Sequence, residues 1–207
     1  MKILCDDQRT DAWKDARRGC ITASAAHIAL MGRHTKGRTE YVEILADGLE
    51  GIPDFETEGD QEWFIDGRFY EDWARGWYSF SQDIDVRQIG FAVHDEYSWI
   101  GCSPDGLVDP DGGVEFKYRK ALHTFNQHAQ AQVVPRAVKA QIQTSLFVCE
   151  RDWWDYVNYW RSIEHEKEKG HVQRIYRDQA YIDNTLLPAF VALWGDVQRE
   201  IQRRRAA

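Results

Sequence analysis

The chain has 207 residues, 43% of them apolar, and carries 34 acidic against 26 basic side chains for a formal charge of −8. That length predicts one domain over 1–207, and that composition supplies a core without any run near the ~18 to 20 apolar residues of a membrane span. The negative balance argues against a protein that coats DNA through a broad basic face and leaves a confined contact, a channel or cleft, because basic side chains can gather on one surface while acids occupy another.

Met1 to Thr10 holds two aspartates and no apolar stretch, so it does not read as a secretory signal. The expected location is the cytoplasm. Cys5, Cys20, Cys102 and Cys149 are far apart and show no C-x₂-C spacing. They read as reduced thiols rather than a zinc site. Most of the nine tryptophans are expected in the core.

In chain order, Asp11 to Ala16 predicts a short helix ending near Arg17-Arg18-Gly19. Ile21-Thr22-Ala23-Ser24 leads into a helix over Ala25 to Met31, with Thr22 or Ser24 as its cap. Gly32 to Arg38 reads as a basic, glycine-containing loop, Thr39 to Gly48 as a helix, and Gly51 to Gly59 as an acidic loop. Asp60 to Phe80 is a long aromatic-rich helix, with Trp63, Phe64, Tyr70, Trp73, Ala74 and Trp77 near helical spacing. Strands follow over Val86 to Val93, Trp99 to Cys102 and Gly113 to Tyr118, with turns at His94 to Tyr97 and Asp109 to Gly112. Ala137 to Val148 is a helix expected to pack on the sheet. Trp153 to Trp160 and Val172 to Arg177 are strands, and Asp178 to Arg205 is a closing helix. The order predicts an α/β or α+β fold, a central mixed sheet flanked by helices.

Chemistry concentrates at Ser103-Pro104-Asp105-Gly106, with Glu115-Phe116-Lys117 beginning ten residues after Asp105. Two carboxylates on adjoining strands supply hard oxygen ligands for Mg²⁺. Lys117, two residues after Glu115, shares its strand face and can act on the same water or phosphate. Metal-assisted phosphodiester hydrolysis uses such a set. A solvent-facing strand with ordinary charges after a turn is the competing reading of these residues.

Gly101-Cys102-Ser103-Pro104-Asp105-Gly106-Leu107 with Gly113-Val114-Glu115-Phe116-Lys117 resembles the phage recombination exonucleases typified by bacteriophage lambda exonuclease, the YqaJ-like branch of the PD-(D/E)XK nucleases. Three more segments match in the same order: Trp13 to Ser24 (WKDARRGCITAS), Tyr70 to Arg75 (YEDWAR) and Ala140 to Gln143 (AQIQ). The resemblance implies a restriction-endonuclease-like PD-(D/E)XK core. It implies that Asp105, Glu115 and the backbone carbonyl of Phe116 bind metal. Lys117 would orient or deprotonate water or stabilise the phosphate, Glu71 would be an additional acid, and Gln141 would hold Lys117 or the water. Without the resemblance, Glu71 reads as an exposed i,i+4 partner of Arg75. Asp95 falls where the family has another acid, either behind the metal ligands or merely opening a turn. Arg17 and Ser24 fall where the family binds a 5′-phosphate; a cap and a helix-end charge are their plainer roles.

The implied activity is Mg²⁺-dependent 5′-to-3′ degradation of one strand of linear double-stranded DNA, with two ions and Mn²⁺ as a substitute. The implied partners are DNA ends, a single-strand annealing protein and two further copies in a homotrimeric ring, with no membrane. A PD-(D/E)XK endonuclease of restriction or repair type and a non-catalytic DNA-end-binding module are the alternatives. The spread of the four cysteines speaks against the related iron–sulfur branch. The chain departs from the family at Tyr118-Arg119, where Cys-Pro is common. Ala121 to Pro135 is rich in His and Gln; His123 and His128 are expected on a polar surface or near DNA.

Overall fold

A computed structural model describes residues 1–52, 58–131, 133–162 and 164–206, side chains of 58–69 excepted. Two four-stranded sheets are built from β1 (Lys2–Cys5), β2 (Ile21–Thr22), β3 (Phe91–Val93), β4 (Ile100–Cys102), β5 (Gly106–Val108), β6 (Gly112–Tyr118), β7 (Trp153–Ser162) and β8 (Lys167–Tyr176). The first sheet has the order β1-β3-β4-β2 and the second β5-β6-β7-β8. Each is mixed: β2 runs parallel to β4 and β6 parallel to β7, while the other neighbours are antiparallel.

The helices are α1 (Asp11–Arg17), α2 (Ala26–Ala29), α3 (Lys36–Leu49), α4 (Glu58–Gln82), α5 (Leu122–Ala131), α6 (Arg136–Cys149), α7 (Gln179–Tyr181) and α8 (Leu187–Arg205). Helix α6 touches β3 and β4 of one sheet and β7 of the other. Its buried Ile142 and Leu146 join Ile100, Cys102, Trp154 and Tyr156 in the larger core. Helix α4 covers the opposite face of the second sheet, where Ala74 and Tyr78 pack on Val114, Phe116, Val157 and Tyr159. The parallel pair β6–β7 is therefore covered on both faces, as buried parallel strands require.

Gly113 makes the start of β6 possible: a Cβ there would lie 2.3 Å from the Trp154 ring on the adjoining strand. Gly19 has φ +69° and backs onto Leu49, 2.7 Å from where its Cβ would stand. That turn lets the chain reverse after α1 beside the end of α3.

Several expectations change. The segment Val86 to Val93 is not one strand. Arg87 bridges Leu107 at the edge of the second sheet, and from Phe91 the chain joins the first; it changes sheets at Gly90, whose N–H donates to the Cys5 carbonyl at 3.0 Å. Thr22 and Ser24 do not cap a helix by side chain. A 3₁₀ turn, Ala23–Ala25, precedes the four-residue α2, Thr22 makes no side-chain cap bond, and the two hydroxyls lie 3.2 Å from each other.

Helix α3 begins at Lys36, inside the expected basic loop. The His/Gln-rich stretch contains α5, anchored by buried Phe125. The closing helix is interrupted by a π turn, Ile182–Leu186, just before Pro188, which has no N–H for the ladder. Trp154 is fully buried, but Trp13, Trp73, Trp77, Trp99, Trp153, Trp160 and Trp194 are only partly covered. The expected acidic loop falls largely on 53–57, outside the described residues, as do the side chains of Trp63 and Phe64. No helix among the described residues is long and apolar enough to cross a membrane.

Candidate active site

The second sheet sets the site. Pairing of β5 with β6 ends at Gly106 and Val114, so beyond Val114 that edge of β6 is free of a neighbouring strand. Asp105, one residue before β5, fills the gap: its Oδ2 accepts from the Phe116 N–H at 2.7 Å. Within a strand the N–H and C=O of one residue project to the same edge. The Phe116 carbonyl therefore emerges on the side where Asp105 stands.

Alternation places Glu115 and Lys117 on the face toward α6. Glu115 is buried, with 3% of its surface exposed. Lys117 Nζ lies 2.5 Å from Glu115 Oε1 and 3.4 Å from Gln141 Oε1. Gln141 Nε2 donates to the same Glu115 oxygen at 2.8 Å. Gln141 thus holds both members of the acid–lysine pair, from a helix anchored in both sheets. Gln143, two residues on, instead donates to the Tyr176 carbonyl and accepts from the Asp178 N–H, each at 2.8 Å. One of the two glutamines serves the site and the other fastens the end of β8.

Glu71 reaches this region from α4. It is the i,i+4 partner of Arg75, at 2.8 Å, but it is not an exposed pair: Glu71 and Arg75 side chains are only 18% and 12% exposed. Arg9 takes the second Glu71 oxygen at 2.9 Å, and Arg75 also donates to the Asp105 carbonyl at 3.3 Å. Burial, then Glu115, then Glu71 push the Asp105 carboxyl well above its ordinary range, against the smaller opposing pull of Lys117 and the Phe116 N–H. Glu115 likewise raises Lys117, which is held as an ammonium.

Burial and two neighbouring acids disfavour the Asp105 anion, a cost that a bound cation would offset. Among the described residues no three His, Cys, Asp or Glu side chains are gathered closely enough to hold an ion by themselves. Mg²⁺ takes one or two carboxylates and keeps several waters. Asp105, Glu115 and the Phe116 carbonyl fit that need.

Asp95 is not brought to this place. It lies in the exposed turn after β3, and its carboxylate accepts from the Met1 amino group at 2.8 Å. Arg17 lies beside a cavity of about 510 Å³ walled by Trp13, Thr22, Tyr41 and Leu45. Its guanidinium stacks on Trp13 at 4.1 Å, and burial pulls its pKa down. Among the described residues no carboxylate pairs with it. Ser24 is exposed and does not wall this cavity; Thr22 does.

Several positioning residues escape a sequence reading. Trp13 Nε1 donates to Ser103 Oγ at 2.8 Å, linking the Arg17 cavity to the loop that carries Asp105. Gln8 Nε2 donates to the Pro104 carbonyl at 2.8 Å. Arg119, at the departure from the family pattern, spans to Asn158 Oδ1 at 2.8 Å and the Tyr156 hydroxyl at 2.7 Å, and so fixes the end of β6 on β7. Cys102 and Cys149, distant in sequence, meet with their sulfurs 3.4 Å apart behind the site. None of these pairings follows a fixed spacing that sequence would reveal.

An acid before one strand, an acid and a lysine on the next, and a glutamine from the covering helix define the restriction-endonuclease-like PD-(D/E)XK architecture. Residues 12–152 match the YqaJ-like viral recombinase domain, and the chain belongs to that family. The structure superposes on an alkaline exonuclease, LHK-Exo, from Laribacter hongkongensis, with a TM-score of 0.79 and 26% identity over 95% of this chain and 98% of that one. The same enzyme in complex with dAMP gives 0.79 at 25% identity, with the same coverage of both chains. A phage related exonuclease from Haemophilus somnus shares the fold, with a TM-score of 0.65 at 15% identity over 89% of this chain and 96% of that one. An uncharacterized protein of Acanthamoeba polyphaga mimivirus is 24% identical over 170 residues, 75% of this chain. The chain spans only 30% of that relative's length.

Proposed function

We propose that the protein is a Mg²⁺-dependent exonuclease that degrades one strand of linear double-stranded DNA from the 5′ end. It would leave 3′ single-stranded overhangs for recombination with a single-strand annealing protein. The observation that carries this reading is the bonded set Glu115–Lys117–Gln141 beside Asp105, a half-buried carboxylate held on the free edge of the same strand by the Phe116 N–H. The exonuclease relatives and the recombinase family support the substrate class. A homotrimeric ring around DNA, two ions, Mn²⁺ as a substitute and a cytoplasmic location belong to the same proposal and rest on the family resemblance.

The metal, held by Asp105, Glu115 and the Phe116 carbonyl, would supply charge stabilisation at the phosphate and a more acidic water. The protein's own residues do the rest. Lys117, as an ammonium, offers donors to a phosphate oxygen and to the attacking water. Gln141 fixes the direction of Lys117 and shares Glu115 with it. Glu71, clamped by Arg9 and Arg75, stands beside Asp105 and disfavours its anion. Arg17, stacked and without a carboxylate partner among the described residues, presents its fork to a terminal 5′-phosphate, with the Thr22 hydroxyl in the same cavity wall as a second donor and the Ser24 hydroxyl 3.2 Å from it.

A time course on 5′-phosphorylated linear duplex, with and without Mg²⁺, tests the proposal. Mononucleotides should appear from 5′ ends only with the ion, and closed circular duplex should stay intact. Nicking of closed circles would replace the exonuclease by an endonuclease; no hydrolysis of either substrate would leave only a binding module. Arg17→Ala should slow initiation on 5′-phosphate ends by about ten- to a hundredfold, the worth of one charge-assisted contact, and affect 5′-hydroxyl ends much less. Equal losses on both ends would remove the pocket.

A further inference from the structure

A second cationic cluster stands apart from the Asp105 site. Arg33, in the turn between α2 and α3, Arg38, in the first turn of α3, and Arg199, on α8, converge on one carboxylate, Asp196. Arg33 lies 2.5 Å from Asp196 Oδ1 and Arg38 lies 2.9 Å from Oδ2. Arg199 joins Arg33 on Oδ1. Burial opposes ionisation of Asp196, yet the bonds from Arg199, Arg38 and Arg33 hold its carboxyl below the ordinary range. One carboxylate against three guanidiniums leaves two positive charges in excess, in a chain whose formal charge is −8.

The arginines line a cavity of about 340 Å³ whose remaining wall includes the small residues Ala29, Ala192 and Gly195. Arg38 is 4% exposed. Its Nη1 donates to the Ala29 carbonyl at 2.7 Å and its Nη2 to Asp196, but its buried Nε has no partner. A clamp made only to join α3 to α8 would need one arginine on the aspartate. Two surplus guanidiniums and an unsatisfied buried donor, at an open cavity, ask for an oxyanion.

We propose that this cavity binds a phosphodiester of duplex DNA, away from the cleavage centre. Guanidinium forks match phosphate oxygens in geometry as well as charge. Helix α3 supports the choice of DNA. It carries Arg38 in this cavity and, three and seven residues on, Tyr41 and Leu45 in the wall of the Arg17 cavity. At 1.5 Å per residue the offset is about 5 to 10 Å along the helix. Phosphates recur every 3.4 Å of axis on one strand, so a duplex whose end sits at Arg17 would present a phosphate two or three steps away to this cavity, where Arg33 and Arg199 are exposed. The inference rests on the DNA-end reading above.

The test reads binding, not cleavage. In a Lys117→Ala background with EDTA, the affinity for a labelled blunt 5′-hydroxyl duplex is measured by fluorescence anisotropy across a salt series. Arg33→Ala/Arg199→Ala, two positions whose side chains are each 58% exposed, should weaken binding about ten- to a hundredfold. It should also make the slope of log K against log salt shallower by about 0.9, one phosphate. Asp196→Asn should act oppositely and tighten binding, because it frees the guanidiniums. A double variant that binds with the parent's affinity and slope would overturn the site, as would an Asp196→Asn variant that folds, by its melting curve, and binds no more tightly. A wild-type chain that binds duplex but cleaves nothing would sink the nuclease reading and leave the site standing. A cleaving wild type whose double variant binds like the parent would sink the site alone.

Discussion

The two faces of the β6–β7 pair each bury carboxylates, and they treat them in opposite ways. On the α4 face Asp155 is 1% exposed and fully answered. It accepts from the Tyr78 hydroxyl at 2.6 Å and from Arg174 Nε and Nη2 at 2.9 Å each. On the α6 face and its edge, Glu115 and Asp105 have one lysine, one amide and one backbone N–H between them, with Glu71 adding charge nearby. The same strands thus carry one acid that ties α4 and β8 together and a pair of acids kept in want of a cation. Burial alone does not distinguish a structural carboxylate from a chemical one; the balance of donors around it does.

The largest effect that would break this contrast is on cleavage. Asp105→Ala and Glu115→Ala should each lower the rate on linear duplex by about 10²- to 10⁴-fold, and Lys117→Ala similarly. The Asp105→Ala/Glu115→Ala double variant should be no worse than either single one, because residues acting as one unit are not additive. DNA binding should stay near that of the wild type. Losses that multiply would mean that the two acids do not share a site.

Asp155→Ala should do the reverse. Removing the acid strands the buried Tyr78 hydroxyl and releases Arg174 to water. A cost of about 1.5 to 3 kcal/mol is expected for bonds to a charged group, or roughly 3 to 12 °C in Tm for a chain of this size. Cleavage per folded molecule should be retained. If Asp155→Ala abolished cleavage without lowering Tm, the α4 face would have a chemical role and the contrast would fail.

The chemical face was far more legible in the sequence than the structural one. Asp105, Glu115 and Lys117 sit within one hairpin, so their spacing, strand alternation and turn chemistry bring them together without long-range information. Gln141 and Glu71 came from matched motifs, and both reach the region. Asp155 sits in an aromatic strand that reads correctly as a strand, but its partners Tyr78 and Arg174 come from other elements and leave no local pattern. The same holds for the short β1 and β2, which exist only through pairing with β3 and β4, and for α5, where Phe125 is the one large buried apolar residue among His, Gln and Asn. Asp95 is open in the sequence between a place behind the acids and the opening of a turn; it lies in the turn, and its carboxylate faces the Met1 amino group.

The smallest predicted effect separates the two faces by pH. Asp105 has a higher pKa in the folded chain than its ordinary value of 3.8, through burial first and then Glu115 and Glu71. Such a carboxyl holds its proton more tightly when folded. Its contribution is fully present below the ordinary aspartate range and is lost as pH rises through that range toward the folded value. Asp105→Asn keeps an oxygen acceptor for the Phe116 N–H but cannot ionise. In metal-free buffer the variant should therefore match the wild type below about pH 4 and gain on it as pH rises, reaching about 0.5 to 2 kcal/mol, the usual gain on relieving a site strained for function. Mg²⁺ should shrink the gain, because an ion that binds only the folded wild type stabilises it by mass action. The measurement is a set of melting curves for both proteins from acid to mildly alkaline pH, with EDTA or Mg²⁺. A wild type that equals or exceeds Asp105→Asn at neutral pH without metal would show that the acid pair is already satisfied, as Asp155 is, and the two faces would no longer differ in kind.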